Sequence, residues 1–259
     1  MDKEMAERVS DPDFMETLAR GLAVLRCFGE KQQPMTIAQA SHETGLSRAS
    51  VRRCLHTLTQ LGYAAQEGPN YMLRPKTLAL GYAYLSSNTL VAKAQPILEQ
   101  LRDELHESCS LGVIEEDEVY YVARAESSRI ISIALRSGSR LPLYATSMGR
   151  VLLAGLPKEE RDAYFRKTKL VPLTPHTVTD RRRLEAILDQ VAEEGFALVD
   201  QELEVSLRSI AVPVIGRKGV TASINIGTQA DRVTAAELRT RYLPVLRRGA
   251  RDLSAMGSF

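Results

Sequence analysis

TIAQASHETGLSRASVRRCLHTLTQL, residues 36–61, is the stretch whose reading decides the fold. On a wheel of roughly 100° per residue started at Ser47, Val51, Cys54, Leu55, Leu58 and Leu61 share one face, the spacing of a helix that packs inward. Ala49, Arg52, Arg53, His56 and Gln60 fall on the other side. Ser47 is the expected N-cap, its hydroxyl accepting from a backbone N–H that the first helical turn leaves unpaired. It follows a Gly45-Leu46 turn, and before that turn Ile37, Ala40 and Ser41 suit a short supporting helix, Ala40 being small enough for a close crossing. The pattern is a helix-turn-helix, whose second helix lays its N-terminal part in the major groove of DNA. The expected reading set is Thr36, Ser47, Arg48, Ala49, Ser50, Arg52, Arg53 and His56. Guanidinium groups pair bidentately with guanine, and hydroxyls reach bases or phosphates. The partner this implies is double-stranded operator DNA. The plainer reading is an amphipathic helix with a solvated basic face.

The neighbouring residues favour the first reading. After Gly62, the runs 63–66 (YAAQ) and 71–73 (YML) read as two short strands around Gly68-Pro69-Asn70, a hairpin turn signal. Upstream, Leu18, Leu22, Leu25 and Phe28 give a first helix closed by Gly29. Helix, helix, turn, helix and hairpin within about sixty residues make a winged helix-turn-helix. Charge follows the same division. The chain carries a formal net charge of +2, yet residues 17–80 hold eight cations against three acids, while residues 1–16 hold six acids against two cations. The basic excess therefore sits on the proposed DNA-binding module, where phosphate neutralisation would make affinity fall with salt.

With 259 residues, 44% of them hydrophobic, the chain is long enough for two cores and is globular by composition. Cys27, Cys54 and Cys109 are odd in number, far apart and set beside apolar helical positions. They read as buried thiols of a reducing compartment rather than a disulfide framework. The start has no basic region leading into an apolar run, and no stretch is long enough to cross a bilayer. A cytoplasmic protein without membrane contact is expected.

The expected organisation is an acidic tail over 1–16, the winged helix over 17–76, a helical linker and start of the second domain over 77–108, and an α+β domain over 109–259. The linker is helical in pattern, with Ser86-Ser87-Asn88 as a break. From Ser110 onward come β-rich runs, SLGVIEED, VYYVARAE, IISIALRSG, SIAVPVI and TASINIG. Helices are expected over 147–156, 158–168, 181–194 and from Thr234 to about Met256. Thr234 with Glu237 gives the last of these a capping-box signature.

Little in the second domain suggests catalysis. His42, His56, His106 and His176 have no companions at a metal-ligand spacing, and Ser147, His176 and Asp180 lack the Gly-x-Ser-x-Gly setting of a nucleophile elbow. Glycine loops that cradle phosphates are absent. No catalytic residue, metal or cofactor is expected. The segment 144–150, YATSMGR, leads into a helix, so its backbone N–H groups and hydroxyls can receive a carboxylate at a positive helix end. A simple N-cap by Thr146 or Ser147 is the competing reading. Arg136, at the end of IISIALR, would supply a counter-charge, and Leu207-Arg208-Ser209 would bring a second hydroxyl to the same cavity.

These motifs resemble the IclR family of bacterial transcriptional regulators over essentially the chain from Thr17 to its end. The resemblance is carried by the winged helix, by GSRLPLYATSMGRVLLAGLP (138–157), by the threonine pair at Thr174 to Val178, and by GFALVDQELEVSLRSIAVPV (195–214). It looks most like the branch that controls aromatic acid catabolism. Ser206 departs from the glycine usual in the family before LRSI. The resemblance implies a GAF-like effector domain that binds a small carboxylate, with subunits pairing as a homodimer through the N-terminal domain or associating further as a homotetramer. The expected effector set is Tyr121, Arg136, Tyr144, Thr146, Ser147, Met148, Val199, Leu207, Arg208 and Ser209. Val199 stands where the family often has an acid, which favours an apolar wall and a hydroxybenzoate-like effector. The leading reading is thus a ligand-responsive transcription factor. The alternatives are an enzyme acting on a small organic acid, its winged helix used for protein contacts, and a constitutive architectural DNA-binding protein.

Overall fold

The computed structural model describes residues 11–31, 34–127 and 135–256, in two compact units, Met1–Tyr84 and Leu85–Phe259. Most of the acidic tail and residues 130–134 of the expected strand IISIALRSG lie outside the described residues.

The first unit holds α1 (Glu16–Lys31), β1 (Met35–Thr36), α2 (Ile37–Thr44), α3 (Arg48–Gln60), β2 (Ala64–Glu67) and β3 (Asn70–Leu73). Helix α2 opens with a capping box. The Thr36 hydroxyl accepts from the Gln39 N–H, and the Gln39 side chain reaches back to the Thr36 N–H. It ends at Gly45, whose φ of 67° is a left-handed cap that glycine adopts without steric cost. Ser41 Oγ donates to the Leu46 carbonyl at 2.6 Å and fixes the turn. Ser47 then caps α3, accepting from the Ser50 N–H at 3.2 Å. Strands β2 and β3 form the expected hairpin, and the two-residue β1, not read from the sequence, pairs with the free edge of β3.

Two expectations for this unit change. Helix α1 continues past Gly29, and its buried stripe is Val24, Cys27 and Phe28, leaving Leu18 and Leu22 56% and 49% exposed. Gly29 keeps a negative φ and so does not act as a left-handed terminator. Leu61 is the C-cap of α3 and is exposed rather than buried, because the helix has ended before its side chain can return to the core face. Val51 and Leu55 have no exposed surface, and each contributes roughly 1.5–3 kcal/mol by its burial.

The chain continues through α4 (Leu78–Ser87) and α5 (Thr89–Leu105), separated at Asn88, whose side chain accepts from the N–H groups of Leu90 and Val91. Helix α4 buries no residue, whereas α5 buries Leu90, Ala94, Leu98, Leu101 and Leu105.

The second unit is built on one antiparallel sheet in the order β6-β5-β4-β9-β8-β7. Its strands are β4 (Cys109–Glu115), β5 (Glu118–Ala125), β6 (Arg140–Pro142), β7 (Ala197–Asp200), β8 (Leu207–Gly216) and β9 (Gly219–Gln229). Between β6 and β7 run α6 (Ser147–Ala154), α7 (Lys158–Lys167) and α8 (Arg181–Glu194), and after β9 a short α9 (Ala235–Glu237) and a π turn lead into α10 (Leu243–Ala255). Period-two alternation divides the sheet into two faces. Ile210, Val212, Ile224 and Ile226 pack with α5 and α10, while Val119, Tyr121 and Ala211 pack with α6 and α8. The unit is therefore a helix–sheet–helix sandwich with two cores.

A bulge breaks the alternation in β5. Leu111 pairs with Ala123 and Gly112 with Tyr121, so Val122 has no partner on β4. Val122 and Ala123 both join the α5 core, and the phase shifts by one residue. Arg124 is thereby turned to the same side as Tyr121, toward α6.

Candidate functional site

On the first unit the candidate site is the outer face of α3. Arg48, Ala49, Arg52, Arg53 and His56 are all exposed there, with Ser47 exposed at the helix start. Ser47 and Ser50 are hydrogen-bonded to each other at 3.1 Å. Thr36 is half-buried and occupied by its capping box. Three guanidinium groups on one solvated face, presented by a helix anchored through Val51 and Leu55, match what major-groove reading requires.

On the second unit a small enclosed cavity lies between the sheet and the start of α6. It is lined by Tyr121 and Arg124 from β5, Leu135, Ala145 to Ser147 before and at the start of α6, Val199, Leu203, Leu207 and Ser209 around β7 and β8, and Asn225 and Gly227 from β9. Its volume is about 30 Å3.

Three buried polar atoms on these lining residues find no hydrogen-bond partner among the described residues: Ser147 Oγ, Asn225 Oδ1 and Arg124 Nε. Such groups are costly to bury without compensation, so their convergence on one cavity marks a place built to receive a polar ligand. The Arg124 guanidinium is held by a bond from Nη1 to Ser110 Oγ at 2.8 Å. Its Nε lies 3.5 Å from Glu126, whose carboxylate is mostly exposed, so the positive charge is only partly compensated. Burial pushes the Tyr121 phenol well above its ordinary pKa, with Arg124 and a hydrogen bond to Asn225 opposing the shift, so Tyr121 stays protonated. The cavity thus offers one cation, a phenol, two serine hydroxyls and an amide, flanked by Val199, Leu203 and Leu207. That set recognises a small anion carrying an apolar body.

Of the residues expected from the sequence, Tyr121, Thr146, Ser147, Val199, Leu207 and Ser209 line this cavity. At the α6 start Thr146 is the N-cap, accepting from the Gly149 N–H at 3.1 Å, and the Ser147 hydroxyl on the cavity wall has no partner among the described residues. Four others lie elsewhere. Arg136 is exposed in a tight turn, its N–H donating to Ser139 Oγ. Tyr144 uses its hydroxyl on the Val171 backbone, at 2.8 Å to the carbonyl and 3.2 Å from the N–H. Met148 packs beneath the sheet against Gly112, where a Cβ would stand 2.9 Å from its sulfur. Arg208 is paired bidentately with Asp200, at 2.9 Å for both bonds, and also donates to the carbonyls of Ala230 and Val233.

Arg124, Leu135, Ala145, Leu203, Asn225 and Gly227 were not expected. For Asn225 a signal existed. In TASINIG, Ala222, Ile224 and Ile226 alternate with Ser223, Asn225 and Gly227, so a strict period-two reading puts the small and polar set on the cavity face. Arg124 had none, because the bulge reverses the side that alternation assigns to it. Among the described residues no cluster of His, Cys, Asp and Glu is arranged to hold a metal, and no helix is long and apolar enough to cross a membrane.

Comparison with known proteins matches residues 82–255 to the family described as bacterial transcriptional regulator IclR C-terminal, and residues 17–68 to the IclR helix-turn-helix domain. The chain is 47% identical to the Pca regulon regulatory protein of Pseudomonas putida over 253 residues, covering 97% of this chain and 87% of the relative. A transcriptional regulator structure from Rhodococcus sp. RHA1 is 44% identical with a TM-score of 0.83, covering 93% of this chain and 98% of that one. A double mutant of the PobR inducer-binding domain from Acinetobacter, in complex with 3-hydroxybenzoic acid, is 34% identical with a TM-score of 0.61, over 64% of this chain and 98% of that one.

Proposed function

The chain belongs to the IclR family of bacterial transcriptional regulators and binds DNA through its helix-turn-helix, and from this premise we propose that its second unit senses a small aromatic carboxylate. The effector carboxylate pairs with Arg124, its ring lies against Val199, Leu203 and Leu207, and Ser147, Ser209, Asn225 and Tyr121 hydrogen-bond its polar substituents. The observation that carries this reading is that Ser147, Asn225 and Arg124, each with a buried polar atom lacking a hydrogen bond among the described residues, all line one apolar-flanked cavity. The hydroxybenzoic acid complex of the PobR domain supports the ligand class. The DNA contacts fall to Ser47, Arg48, Ser50, Arg52, Arg53 and His56.

Two copies acting on a near-palindromic operator complete the reading. It is supported by the apolar residues that the first unit exposes on and just before α1 and on α4, among them Met15, Leu18, Leu22, Leu78 and Tyr82. An effector changes operator occupancy only if its affinity differs between the DNA-competent and incompetent arrangements, and the coupling is reciprocal. Titration calorimetry with 4-hydroxybenzoate, protocatechuate, pyruvate and glyoxylate, repeated in the presence of operator DNA, tests both parts. Binding of an aromatic acid, with an affinity that operator DNA changes, is expected. Tight binding of pyruvate or glyoxylate and none of the aromatic acids would overturn the ligand class. Sedimentation of a monomer at micromolar concentration would overturn the pairing.

A further inference from the structure

The structure assigns to Glu202 the part of a positioning residue that holds one wall of the effector cavity closed, an assignment that rests on the effector reading above. Residues 201–206 form a strap between β7 and β8. The ends of the strap meet, the Gln201 N–H donating to the Leu207 carbonyl at 2.7 Å and the Ser206 N–H to Gln201 Oε1 at 3.2 Å. Gln201 and Ser206 both lie in the left-handed region, at φ 58° and 73°. A residue other than glycine stays there only when its surroundings enforce it.

Glu202 is the enforcing contact. Its Oε2 accepts from Arg150 at 2.6 Å and from the Val178 N–H at 2.9 Å. The Glu202 carbonyl accepts from the Thr177 hydroxyl at 2.6 Å, and the Gln201 carbonyl from the Thr174 hydroxyl at 2.7 Å. Arg150 is itself fixed by a bond from Nε to the Tyr144 carbonyl at 2.9 Å. The side chains of Arg150 and Glu202 are only 2% and 9% exposed. Bolted in this way to α6 and to the turn at 174–178, the strap holds Leu203 and Leu207 against the cavity.

An aromatic effector needs more room than the cavity offers with the strap in this position. The cavity holds about 30 Å3, whereas a void of roughly 150 Å3 is what accommodates a benzene ring. Ser209 and Asn225 sit on strands paired on both sides, Tyr121 and Arg124 are paired with Gly112 and Ser110 of β4, and Ala145 to Ser147 belong to a buried, capped helix start. Among the described walls Leu203 of the strap and Leu135 lie outside the sheet ladder and this helix start, and Leu203 is the one held by the Glu202 contacts. The strap opens about Gln201 and Ser206, and opening breaks the Glu202 pair with Arg150, so the pair sets how often the cavity admits an effector.

The test is thiol trapping in the full chain. Ser147→Cys, in a Cys54→Ser background, places a thiol on the cavity wall, and a small uncharged alkylating reagent reports its exposure by peptide mass spectrometry. Native Cys109 is the internal monitor: it has no exposed surface, burial pushes its thiol up to about 12, and it reacts only when the unit unfolds globally. Glu202→Gln removes the charge but leaves Arg150 buried without its partner. Arg150→Met with Glu202→Leu replaces the whole pair by apolar side chains and leaves no buried charge without its partner. Labelling at position 147 is expected to accelerate at least tenfold in either variant with Cys109 unchanged. An unchanged rate at position 147 overturns the assignment, and so does equal acceleration at Cys109, which would make Glu202 a general stabiliser. The labelling needs no ligand, so its outcome stands apart from the aromatic-effector reading, which calorimetry on the parent chain tests separately.

Discussion

The recognition helix and the effector cavity employ the same residue types, arginine and serine, in opposite settings. On α3, Arg48, Arg52 and Arg53 stand in solvent, where water already solvates them and a ligand must displace that water. In the cavity, the Arg124 side chain is 10% exposed and Ser147 is 1% exposed. Their solvation has already been removed by folding, so a matching ligand regains hydrogen bonds at little further cost. The same chemistry therefore yields a salt-sensitive, distributed interface on one unit and a concentrated, salt-insensitive one on the other.

The largest effect that separates them is expected at Arg124. Arg124→Met keeps the volume and deletes the charge. By calorimetry it should weaken 4-hydroxybenzoate binding by about 30-fold or more, since a buried charge partner is worth roughly 2–5 kcal/mol. Operator affinity without effector should not change. Retained effector affinity in this variant would move the carboxylate to another part of the cavity.

Arg53→Ala is expected to come next, costing operator affinity about 1–3 kcal/mol if the guanidinium reads a base edge. Its salt dependence sharpens the comparison. Deleting an arginine that holds a phosphate would reduce the salt slope by about 1, whereas deleting one that reads a base relaxes sequence preference instead. Gel-shift titrations of Arg52→Ala and Arg53→Ala at several salt concentrations assign each arginine to one class. Equal binding by variant and parent would remove that arginine from the interface.

Ser147→Ala carries a smaller effect with the opposite sign in the effector-free protein. Its hydroxyl is buried without a partner among the described residues, a state that costs roughly 1–3 kcal/mol. Removing it should raise Tm by a few degrees while weakening effector binding. A fall in Tm would mean that the hydroxyl is already satisfied.

The contrast also explains what could be read from the sequence. Helix α3 was legible because its periodicity is unbroken, and the five residues placed on its outer face, Ala49, Arg52, Arg53, His56 and Gln60, are all exposed. The start of α6 was legible because Thr146 and Ser147 precede an apolar run, and one caps while the other faces the cavity. Arg124 was hidden by the bulge at Val122, a feature of strand pairing that the local sequence does not encode. Arg136 was expected from its place at the end of the run IISIALR, and in the described chain it lies exposed in a turn. Arg208 has the right chemistry, but Asp200, opposite it on β7, had already claimed it. In α1 the apolar stripe is wide enough for two faces, and the choice between Leu18 with Leu22 and Val24 with Cys27 depends on tertiary contacts.

The smallest effect concerns Thr36, which belongs to the expected reading set yet is engaged locally. Its hydroxyl accepts from the Gln39 N–H at 3.2 Å and donates to Gln39 Oε1 at 2.9 Å. Gln39 Oε1 also accepts from the Thr36 N–H at 2.8 Å. A hydroxyl has one proton to donate, and a phosphate oxygen can only accept, so binding to the DNA backbone would require Thr36 to turn that proton away from Gln39 Oε1, while its cap on the Gln39 N–H could stay. Thr36→Ala should therefore cost about 1 kcal/mol of stability in the first unit, read as a lower midpoint in denaturant. Operator affinity well below the melting transition should change by less than about twofold, and Thr36→Ser should restore the midpoint because it restores the acceptor. A variant that loses operator affinity at unchanged stability would show that the hydroxyl turns its proton to DNA and that Thr36 contributes directly to binding.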